Sequence, residues 1–309
     1  MYYRSTAVNP TEKENPLVSI VIPCYNHAQF VQESIQSVID QDYENIELII
    51  IDDGSKDSSV EAINEIISVC NERFARFEFR HRPNKGLCAT LNEALEWCEG
   101  EYLSCIASDD VMYEDKVSQQ VAFLERNPAC EALFGAMEII DRNSVSEKVI
   151  GKGYAEYSFK EVFLHESFLP APSQMLRTES LKSIGGYDES LLIEDWHMWL
   201  KLLEKGGYFV NTGKLVVKYR RHEENFSKKT DKMWSGINQI LTKYKSHPLY
   251  NRALSGAMLT HACDIQTFSK AQSFSWLINA LSVDPKMLLS FKTHKFLIKF
   301  FLPKSLFRK

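Results

Sequence analysis

The 309-residue chain is long enough for one large domain, or for a domain with an appendage. Hydrophobic residues make up 44% of it and charged residues 25%, as in an ordinary globular protein, and the net charge of −5 argues against general binding to nucleic acid. The seven cysteines include no C-x-x-C pair, so we expect a reducing compartment rather than a zinc ribbon or a disulfide framework. We predict neither a secretory signal in residues 1–16 nor a membrane-spanning helix.

The first hundred residues alternate between strand patterns and helix patterns. Apolar runs predict strands at 17–23, 46–51, 77–81 and 102–107. Apolar residues at helical spacing predict helices between them, near 31–39, 60–70 and 89–98, and residues 52–55 predict a turn with a helix cap. This alternation predicts an α/β fold with a doubly wound, mostly parallel sheet and flanking helices.

Polar side chains follow three of the predicted strands, as Tyr25-Asn26, Asp52-Asp53 and Asp109-Asp110. Because parallel strands end at the same edge of a sheet, we expect these groups to form one site. Adjacent carboxylates repel each other, and a divalent cation such as Mg²⁺ or Mn²⁺ would keep them ionised. The alternative is structural, with Ser108 or Asp109 capping a helix that begins near Tyr113.

Two common nucleotide-binding motifs do not occur in the chain. No G-x-G-x-x-G follows the first strand, which disfavours a dinucleotide-binding Rossmann domain. No G-x-x-x-x-G-K-[ST] occurs, so a P-loop protein is not expected. Phosphates would then be held by a metal rather than by a glycine-rich loop.

The alternation ends after Asp110. We predict a helix at 117–124, a strand at 132–140, a proline-containing loop at 167–172, a helix around 199–203 and a strand at 208–219. From Thr230 onward the pattern predicts helices only. We therefore place residues 1–229 in one domain and residues 230–309 in an all-α C-terminal region.

The C-terminal segment 286–309 carries seven Lys or Arg residues and no acid. On a helical wheel Lys292, Lys295 and Lys299 share one face, and apolar side chains cover the rest. This pattern is typical of an interfacial helix that binds anionic lipid, which predicts a peripheral position on the inner face of the plasma membrane. A helix packed on a core with its lysines in solvent fits the same pattern.

Four motifs resemble those of glycosyltransferase family 2. The string Val18-Ser19-Ile20-Val21-Ile22-Pro23-Cys24-Tyr25-Asn26 resembles the start of that family, and Asp52-Asp53-Gly54-Ser55, Ser108-Asp109-Asp110 and Glu194-Asp195-Trp196 follow in its order. The resemblance covers residues 16–229. It implies a GT-A type fold and transfer of a sugar from a nucleotide-diphosphate sugar, with inversion of the anomeric centre.

The resemblance also implies roles for individual residues. Asp195 would be the general base, beside a second catalytic carboxylate, Glu194, whose charge would raise the pKa of Asp195. Asp110 and His222 would hold Mn²⁺ or Mg²⁺. Asp53 would bind the nucleotide base and Asp109 the ribose or sugar. The residues expected to contact the donor are Pro23, Tyr25, Asn26, Asp53, Asn84, Gly86, Ser108, Asp109 and Arg220.

Structural alternatives remain for some of these residues. Asp195 could cap a helix at 196–205, His222 could be a solvated residue after a strand, and Arg220 and Arg221 could lie in a solvated loop. The segment 84–92 lacks the arginine usual for the family near position 90. His197 stands where an acid often follows the Glu-Asp pair.

We therefore expect a non-processive, metal-assisted enzyme that adds one sugar to a cell-surface glycan precursor, such as O-antigen of lipopolysaccharide or capsule polysaccharide, built on a lipid carrier. It would act in the cytoplasm. One alternative is a nucleotidyltransferase, which would be expected to have a Gly-rich basic loop after the first strand. Another is a non-catalytic sugar-nucleotide binding protein, against which the intact Asp109, Asp110 and Asp195 count.

Overall fold

The computed structural model describes residues 15–223, 225 and 228–301 of the chain. Within these ranges ten strands form one sheet. The strands are β1 (Val18–Cys24), β2 (Ile46–Asp52), β3 (Arg76–His81), β4 (Tyr102–Cys105), β5 (Val111–Met112), β6 (Cys130–Ile140), β7 (Ser146–Ile150), β8 (Ala155–Tyr157), β9 (Met175–Arg177) and β10 (Tyr208–Arg220).

Helices flank the sheet and continue alone at the C-terminal end. They are α1 (Val31–Ile39), α2 (Ser59–Asn64), α3 (Ile67–Arg73), α4 (Leu87–Trp97), α5 (Lys116–Arg126), α6 (Phe159–Phe163), α7 (Thr178–Ser183), α8 (Glu194–Glu204), α9 (Thr230–Lys243), α10 (Tyr250–Ile265), α11 (Lys270–Val283) and α12 (Phe291–Phe301). Two short 3₁₀ turns lie at Ala171–Ser173 and Pro285–Leu289. In the part of the chain that the structure describes, no helix is long and apolar enough to span a bilayer.

The sheet is parallel in its first half and mixed in its second. Its strand order is β3-β2-β1-β4-β9-β6-β10-β5. The strands β1 to β4 pair in parallel, as the alternating pattern predicts, so their carboxyl ends share one edge. Strand β9 then runs antiparallel to both β4 and β6, and β10 runs parallel to β6. The mostly parallel sheet and the change after Asp110 both agree with the sequence analysis.

Two apolar layers cover the two faces of the sheet. Along β1, Ile20 and Ile22 pack on the face covered by α1 and α5, whereas Val21 points to the other face. Because every residue of β2 is buried, this strand has no solvent-facing side, as expected of a central parallel strand. Burial of each Ile or Leu side chain of β2 contributes about 1.5–3 kcal/mol relative to exposure.

Local details differ from the predicted elements in two places. The predicted helix at 60–70 divides into α2 and α3, because the backbone tightens at Ile66, whose N–H donates to the carbonyl of Ile63. The helix expected near Tyr113 begins at Lys116, and β5 separates it from Ser108 and Asp109. The alternative that Ser108 or Asp109 caps a helix is therefore wrong.

The described residues after 229 form only helices and turns, as predicted. Helix α9 packs on the main apolar layer through Ile240 and Leu241, whereas α10, α11 and α12 share a small cluster around Leu259, Leu277 and Phe296. The helical region thus continues the core of the sheet and adds a second one. The domain boundary near residue 229 stays a prediction.

Candidate active site

A cavity of about 670 Å³ opens at the carboxyl ends of β1, β2 and β4. Its walls come from these strand ends, from the start of α4, from the start of α8 and from the segment after β10. Twelve of the residues singled out in the sequence line it: Pro23, Tyr25, Asn26, Asp53, Asn84, Gly86, Ser108, Asp109, Asp110, Glu194, Asp195 and His222. The sheet edge therefore collects these groups in one place, although the role of each remains a prediction.

The loop after β1 presents Tyr25 at the mouth of this cavity. Asn26 adopts a left-handed conformation with φ of 55°, which asparagine tolerates better than most residues. Its N–H donates to Oγ of Ser55 at 2.8 Å, and its Oδ1 accepts from the N–H of Lys56 at 2.8 Å. These bonds tie the loop to the segment after β2, and Tyr25 remains 45% exposed.

Asp53 organises the turn that begins α4. Its carboxylate accepts hydrogen bonds from the N–H of Lys85 at 2.8 Å and of Gly86 at 2.9 Å, and it pairs with the guanidinium of Arg82. Gly54, with φ of 77°, lies so close to this turn that a Cβ would sit 2.7 Å from the backbone nitrogen of Asn84. Asp53 is thus buried and fixed, with its carboxylate at the cavity wall.

Three possible metal ligands lie on one side of the cavity. Nε2 of His222 is 2.8 Å from Oδ2 of Asp109, and Nδ1 of His27 is 3.9 Å from Oδ1 of Asp109. One ligand atom from each of these residues lies within 4.8 Å of the others. Since His222 is only 7% exposed, the alternative that it is a solvated residue is wrong. The two imidazoles suit a transition-metal ion better than Mg²⁺, which prefers oxygen, and the carboxylate suits Mn²⁺ as well.

Asp110 does not belong to this group of ligands. Its Oδ1 accepts the backbone N–H of Arg220 at 2.9 Å. Burial, and then the neighbouring charge of Asp109, raise the pKa of Asp110 well above its ordinary value. The geometry therefore favours Asp109, rather than the predicted Asp110, as the carboxylate nearest to a metal.

The predicted contact between Arg220 and the donor needs correction. The Arg220 side chain is buried beneath the site and does not line the cavity. Its Nε donates to the carbonyl of Asp109 at 2.7 Å, one terminal nitrogen binds Glu33 at 2.6 Å, and the guanidinium stacks 4.8 Å from the Phe30 ring centroid. These bonds fix the loop that carries Asp109, so Arg220 supports the site from behind. Arg221 is exposed.

The first turn of α8 supplies the carboxylates of Glu194 and Asp195. The helix begins at Glu194, so Asp195 lies inside it, and the alternative that it caps a helix at 196–205 is wrong. Burial raises the pKa of Asp195 to about 6. Burial, and then the charge of Asp195, raise the pKa of Glu194 to about 8. One carboxylate of this pair can therefore accept a proton near neutral pH.

Sequence reasoning missed several residues of the cavity. His27 directly follows Tyr25-Asn26 at the same strand end, so its position alone could have marked it as a ligand. Gln174 and Tyr187 also line the cavity, but no local pattern identifies them. His197, noted as unusual after the Glu-Asp pair, lies against Tyr244 and does not line it.

Comparison with known sequences gives a consistent set of relatives. Residues 19–185 match the model of "Glycosyl transferase family 2". An uncharacterized glycosyltransferase of Rickettsia typhi is 28% identical over 92% of this chain and 90% of its own length. Another from Rickettsia felis is 29% identical over 74% of this chain, and the match spans only 39% of that protein. A third match, to an uncharacterized glycosyltransferase of Rickettsia bellii, spans 34% of that protein.

Solved structures share the fold at low sequence identity. TarS of S. aureus in complex with UDP-GlcNAc matches with a TM-score of 0.63 and 19% identity, over 92% of this chain and 89% of that chain. A mannosyltransferase from Pyrobaculum calidifontis, in complex with GDP-Man and Mn²⁺, matches with a TM-score of 0.59 and 15% identity, over 96% and 89%. At these identities the likeness concerns the fold, which is that of GT-A glycosyltransferases as predicted.

Proposed function

Because the chain belongs to glycosyl transferase family 2, we propose that it transfers a single sugar from a nucleotide-diphosphate sugar to a hydroxyl group, with inversion at the anomeric carbon. The family assignment agrees with the resemblance seen in the sequence and replaces the nucleotidyltransferase alternative. Such a transfer requires a donor site, a cation to stabilise the leaving diphosphate, a base and an acceptor.

One observation carries the proposal. A single cavity of about 670 Å³ brings the ends of β1, β2 and β4 to the first turn of α8. Its volume suits a ligand of nucleotide-sugar size, since small-molecule sites usually measure about 300–1,000 Å³. The strand ends provide an aromatic ring and polar groups for a nucleotide, while Asp195 stands on the wall as a base for an incoming hydroxyl.

We assign the donor to the strand ends. The exposed ring of Tyr25 can stack on the nucleotide base, and Asp53 and the turn at Asn84 to Gly86 can contact its edge. Two structural neighbours were solved with UDP-GlcNAc and with GDP-Man, which is consistent with a donor of this class. The carboxylate of Asp53 is held by two backbone N–H groups, so little rearrangement is needed on binding.

We assign a divalent cation, Mn²⁺ in preference to Mg²⁺, to His27, Asp109 and His222. The donor set fits, because the three ligand atoms already lie within 4.8 Å of one another and combine imidazole with carboxylate. A cation bound there would neutralise charge on the departing diphosphate. Arg220 holds the Asp109 loop from below, which keeps these ligands in position.

We assign the chemistry to Asp195. The acceptor hydroxyl gives its proton to this carboxylate as its oxygen bonds to the anomeric carbon. The bond between that carbon and the diphosphate oxygen breaks at the same time, and the diphosphate leaves with the electron pair. Attack opposite the leaving group inverts the centre. Burial raises the pKa of Asp195 to about 6, which suits a base that must be ionised at neutral pH but must also accept a proton.

We propose that the acceptor is a lipid-linked precursor of a cell-surface glycan, such as O-antigen or capsule, met at the cytoplasmic face of the plasma membrane. Helix α12 packs inward through Phe296 and exposes Phe291, Ile298 and Phe301 beside its lysines. An outward surface that is both apolar and basic suits anionic lipid. The rest of the predicted basic tail, residues 302–309, lies outside the described residues.

A thermal-shift screen tests the donor and metal assignment. UDP, GDP, CDP and ADP would each be added with and without Mn²⁺, since a ligand that binds the folded state raises Tm by mass action. We expect one diphosphate to raise Tm strongly only when Mn²⁺ is present. Release of that diphosphate from the matching nucleotide-sugars would then be measured. A chain that binds none of the four with any divalent metal would not be the proposed enzyme.

A further inference from the structure

A second, smaller cavity of about 220 Å³ lies against the first turn of α8. We infer that it is the acceptor subsite, and that it holds the apolar face of a sugar ring with one hydroxyl directed at Asp195. This inference rests on the proposed function. It adds the place and the chemistry of the acceptor, for which no sequence motif identified a residue.

Asp195 connects the two cavities. It lines both the donor cavity and the smaller one, whereas Glu194 lines the donor cavity alone. A base for direct displacement must reach the acceptor hydroxyl on one side and lie near the anomeric carbon on the other. Of the two adjacent carboxylates, only Asp195 has this position. The smaller cavity has about one third of the donor cavity's volume, so it suits one ring of the acceptor rather than an extended chain.

The lining of the smaller cavity selects for a carbon-rich surface. The indole N–H of Trp196 donates to the carbonyl of Val162 at 3.1 Å, and that of Trp199 donates to Oε1 of Gln174 at 3.1 Å. Both indole N–H groups are therefore hydrogen-bonded within the protein, and the rings line the cavity with their carbon atoms. The His165 ring lies over Trp196 with centroids 4.1 Å apart. A sugar ring presents C–H groups on one face, which pack on aromatic carbon, while its hydroxyls stay free for the base.

Helix α9 completes this cavity from the C-terminal region. Met233 and Ile237, one turn apart on α9, both line it. Gly236 between them lets the helix approach closely, because a Cβ there would sit 2.6 Å from Cγ1 of Ile193, the residue before Glu194. The helical region is thus docked on the segment that carries the base. We infer that it takes part in choosing the acceptor.

The test separates two reactions of the full chain. Hydrolysis of the nucleotide-sugar uses water as acceptor and needs only the donor site. Transfer to a panel of p-nitrophenyl hexosides, detected by mass spectrometry, needs the acceptor subsite as well. Ile237→Trp would fill the smaller cavity, and Met233→Gln would make its wall polar. The matched control is Met258→Gln, at a partly buried methionine on α10 that packs on a different cluster.

We expect Ile237→Trp to lose transfer at least tenfold while hydrolysis and donor affinity stay within twofold of wild type. Met233→Gln should raise KM for the hexoside without changing kcat of hydrolysis, and Met258→Gln should leave both reactions unchanged. Equal loss of both reactions in Ile237→Trp, or normal transfer by it, would overturn the inference. So would a wild-type enzyme that hydrolyses its donor but accepts no aryl hexoside. A wild type that releases no diphosphate from any donor would instead refute the proposed function itself.

Discussion

Nε2 of His222 lies 2.8 Å from Oδ2 of Asp109, although 113 residues separate the two in the chain. Asp109 follows β4, in the parallel half of the sheet, and His222 follows β10, in the mixed half. The His27 ring, after β1, meets the His222 ring edge-on with centroids 5.7 Å apart. The proposed metal site therefore exists only when both halves of the sheet are assembled.

The first prediction concerns His27 as a metal ligand. His27→Gln removes one imidazole from the ligand set, so we expect Mn²⁺ affinity in the presence of the nucleoside diphosphate to fall about tenfold or more. Mg²⁺ affinity should change less, because Mg²⁺ depends on oxygen ligands. Calorimetry measures the affinities for both metals, and the electron paramagnetic resonance signal of free Mn²⁺ measures the affinity for Mn²⁺ independently. His294→Gln, at an exposed histidine on α12, is the control. Unchanged Mn²⁺ binding by His27→Gln would remove it from the site.

The second prediction concerns Asp195 as the base. Asp195→Asn keeps the size of the side chain but removes its basicity, so the transfer rate should fall on the order of a hundredfold. Donor affinity should stay nearly constant. In the wild type, the rate should rise as pH increases through about 6, because the carboxylate must be ionised to accept a proton. This limb of the pH profile should disappear in the variant. A variant with near-normal turnover would transfer the role to Glu194.

The local sequence pattern sufficed for the part of the site that directly follows strands. Asp53 and Asp109 each come after an apolar run, and the regular alternation places such ends on one sheet edge. Their shared cavity was predictable for that reason. The strands of that half were predictable too, since burial on both faces requires continuous apolar runs.

The features that the sequence did not predict depend on contacts between segments that are far apart in the chain. Arg220 binds behind the site, and its backbone N–H satisfies Asp110, because β10 runs past the loop that carries both aspartates. No spacing within the chain encodes that approach. Strand β5 has only two residues, Val111 and Met112, too few for a detectable period. The local sequence therefore revealed neither the buried bond between Asp110 and the Arg220 backbone nor the short strand that follows Asp110.

The third prediction concerns stability and pH. Burial raises the pKa of Glu194 from 4.5 to about 8, so the unfolded state ionises first as pH rises. The unfolded state then binds fewer protons than the native state, and the free energy of unfolding decreases from about pH 4.5 to about pH 8. Glu194→Gln removes this penalty. We expect it to stabilise the protein by about 1 kcal/mol or more at pH 8 and by much less at pH 4.

Chemical denaturation at the two pH values measures that difference. Glu189→Gln, at an exposed carboxylate in the loop before α8, makes the same chemical change outside the buried pair and provides the comparison. Equal stability of Glu194→Gln and wild type at pH 8 would mean that ionisation of Glu194 in the native protein does not lower the free energy of unfolding.

The fourth prediction concerns the turn that holds the donor pocket. Gly54→Ala forces a side chain into a left-handed conformation and places Cβ 2.7 Å from the backbone nitrogen of Asn84. The turn that Asp53 binds must then shift, so we expect a loss of about 1–3 kcal/mol in stability and weaker nucleoside diphosphate binding. Gly153→Ala is the control, since a Cβ there meets nothing within 4 Å. Equal diphosphate affinity in the two variants would separate Gly54 from the donor pocket.

The last prediction concerns the outer face of α12. Phe291 and Ile298 are 82% and 63% exposed, each about one turn from Lys295, and this mixed surface suits an anionic membrane. Removing the whole helix would uncover the core around Phe296, so substitutions are the sharper test.

In co-sedimentation with phosphatidylglycerol vesicles, the double variant Phe291→Ser/Ile298→Ser should lose binding at any salt concentration, because it removes the inserted apolar groups. Lys295→Glu should weaken binding mainly at low salt, since each basic residue near anionic lipid contributes about 1 kcal/mol that salt screens. Val149→Ser, at an exposed valine on β7, should pellet like the wild type. A wild type that stays in the supernatant at low salt would show that α12 serves only to pack on α10 and α11.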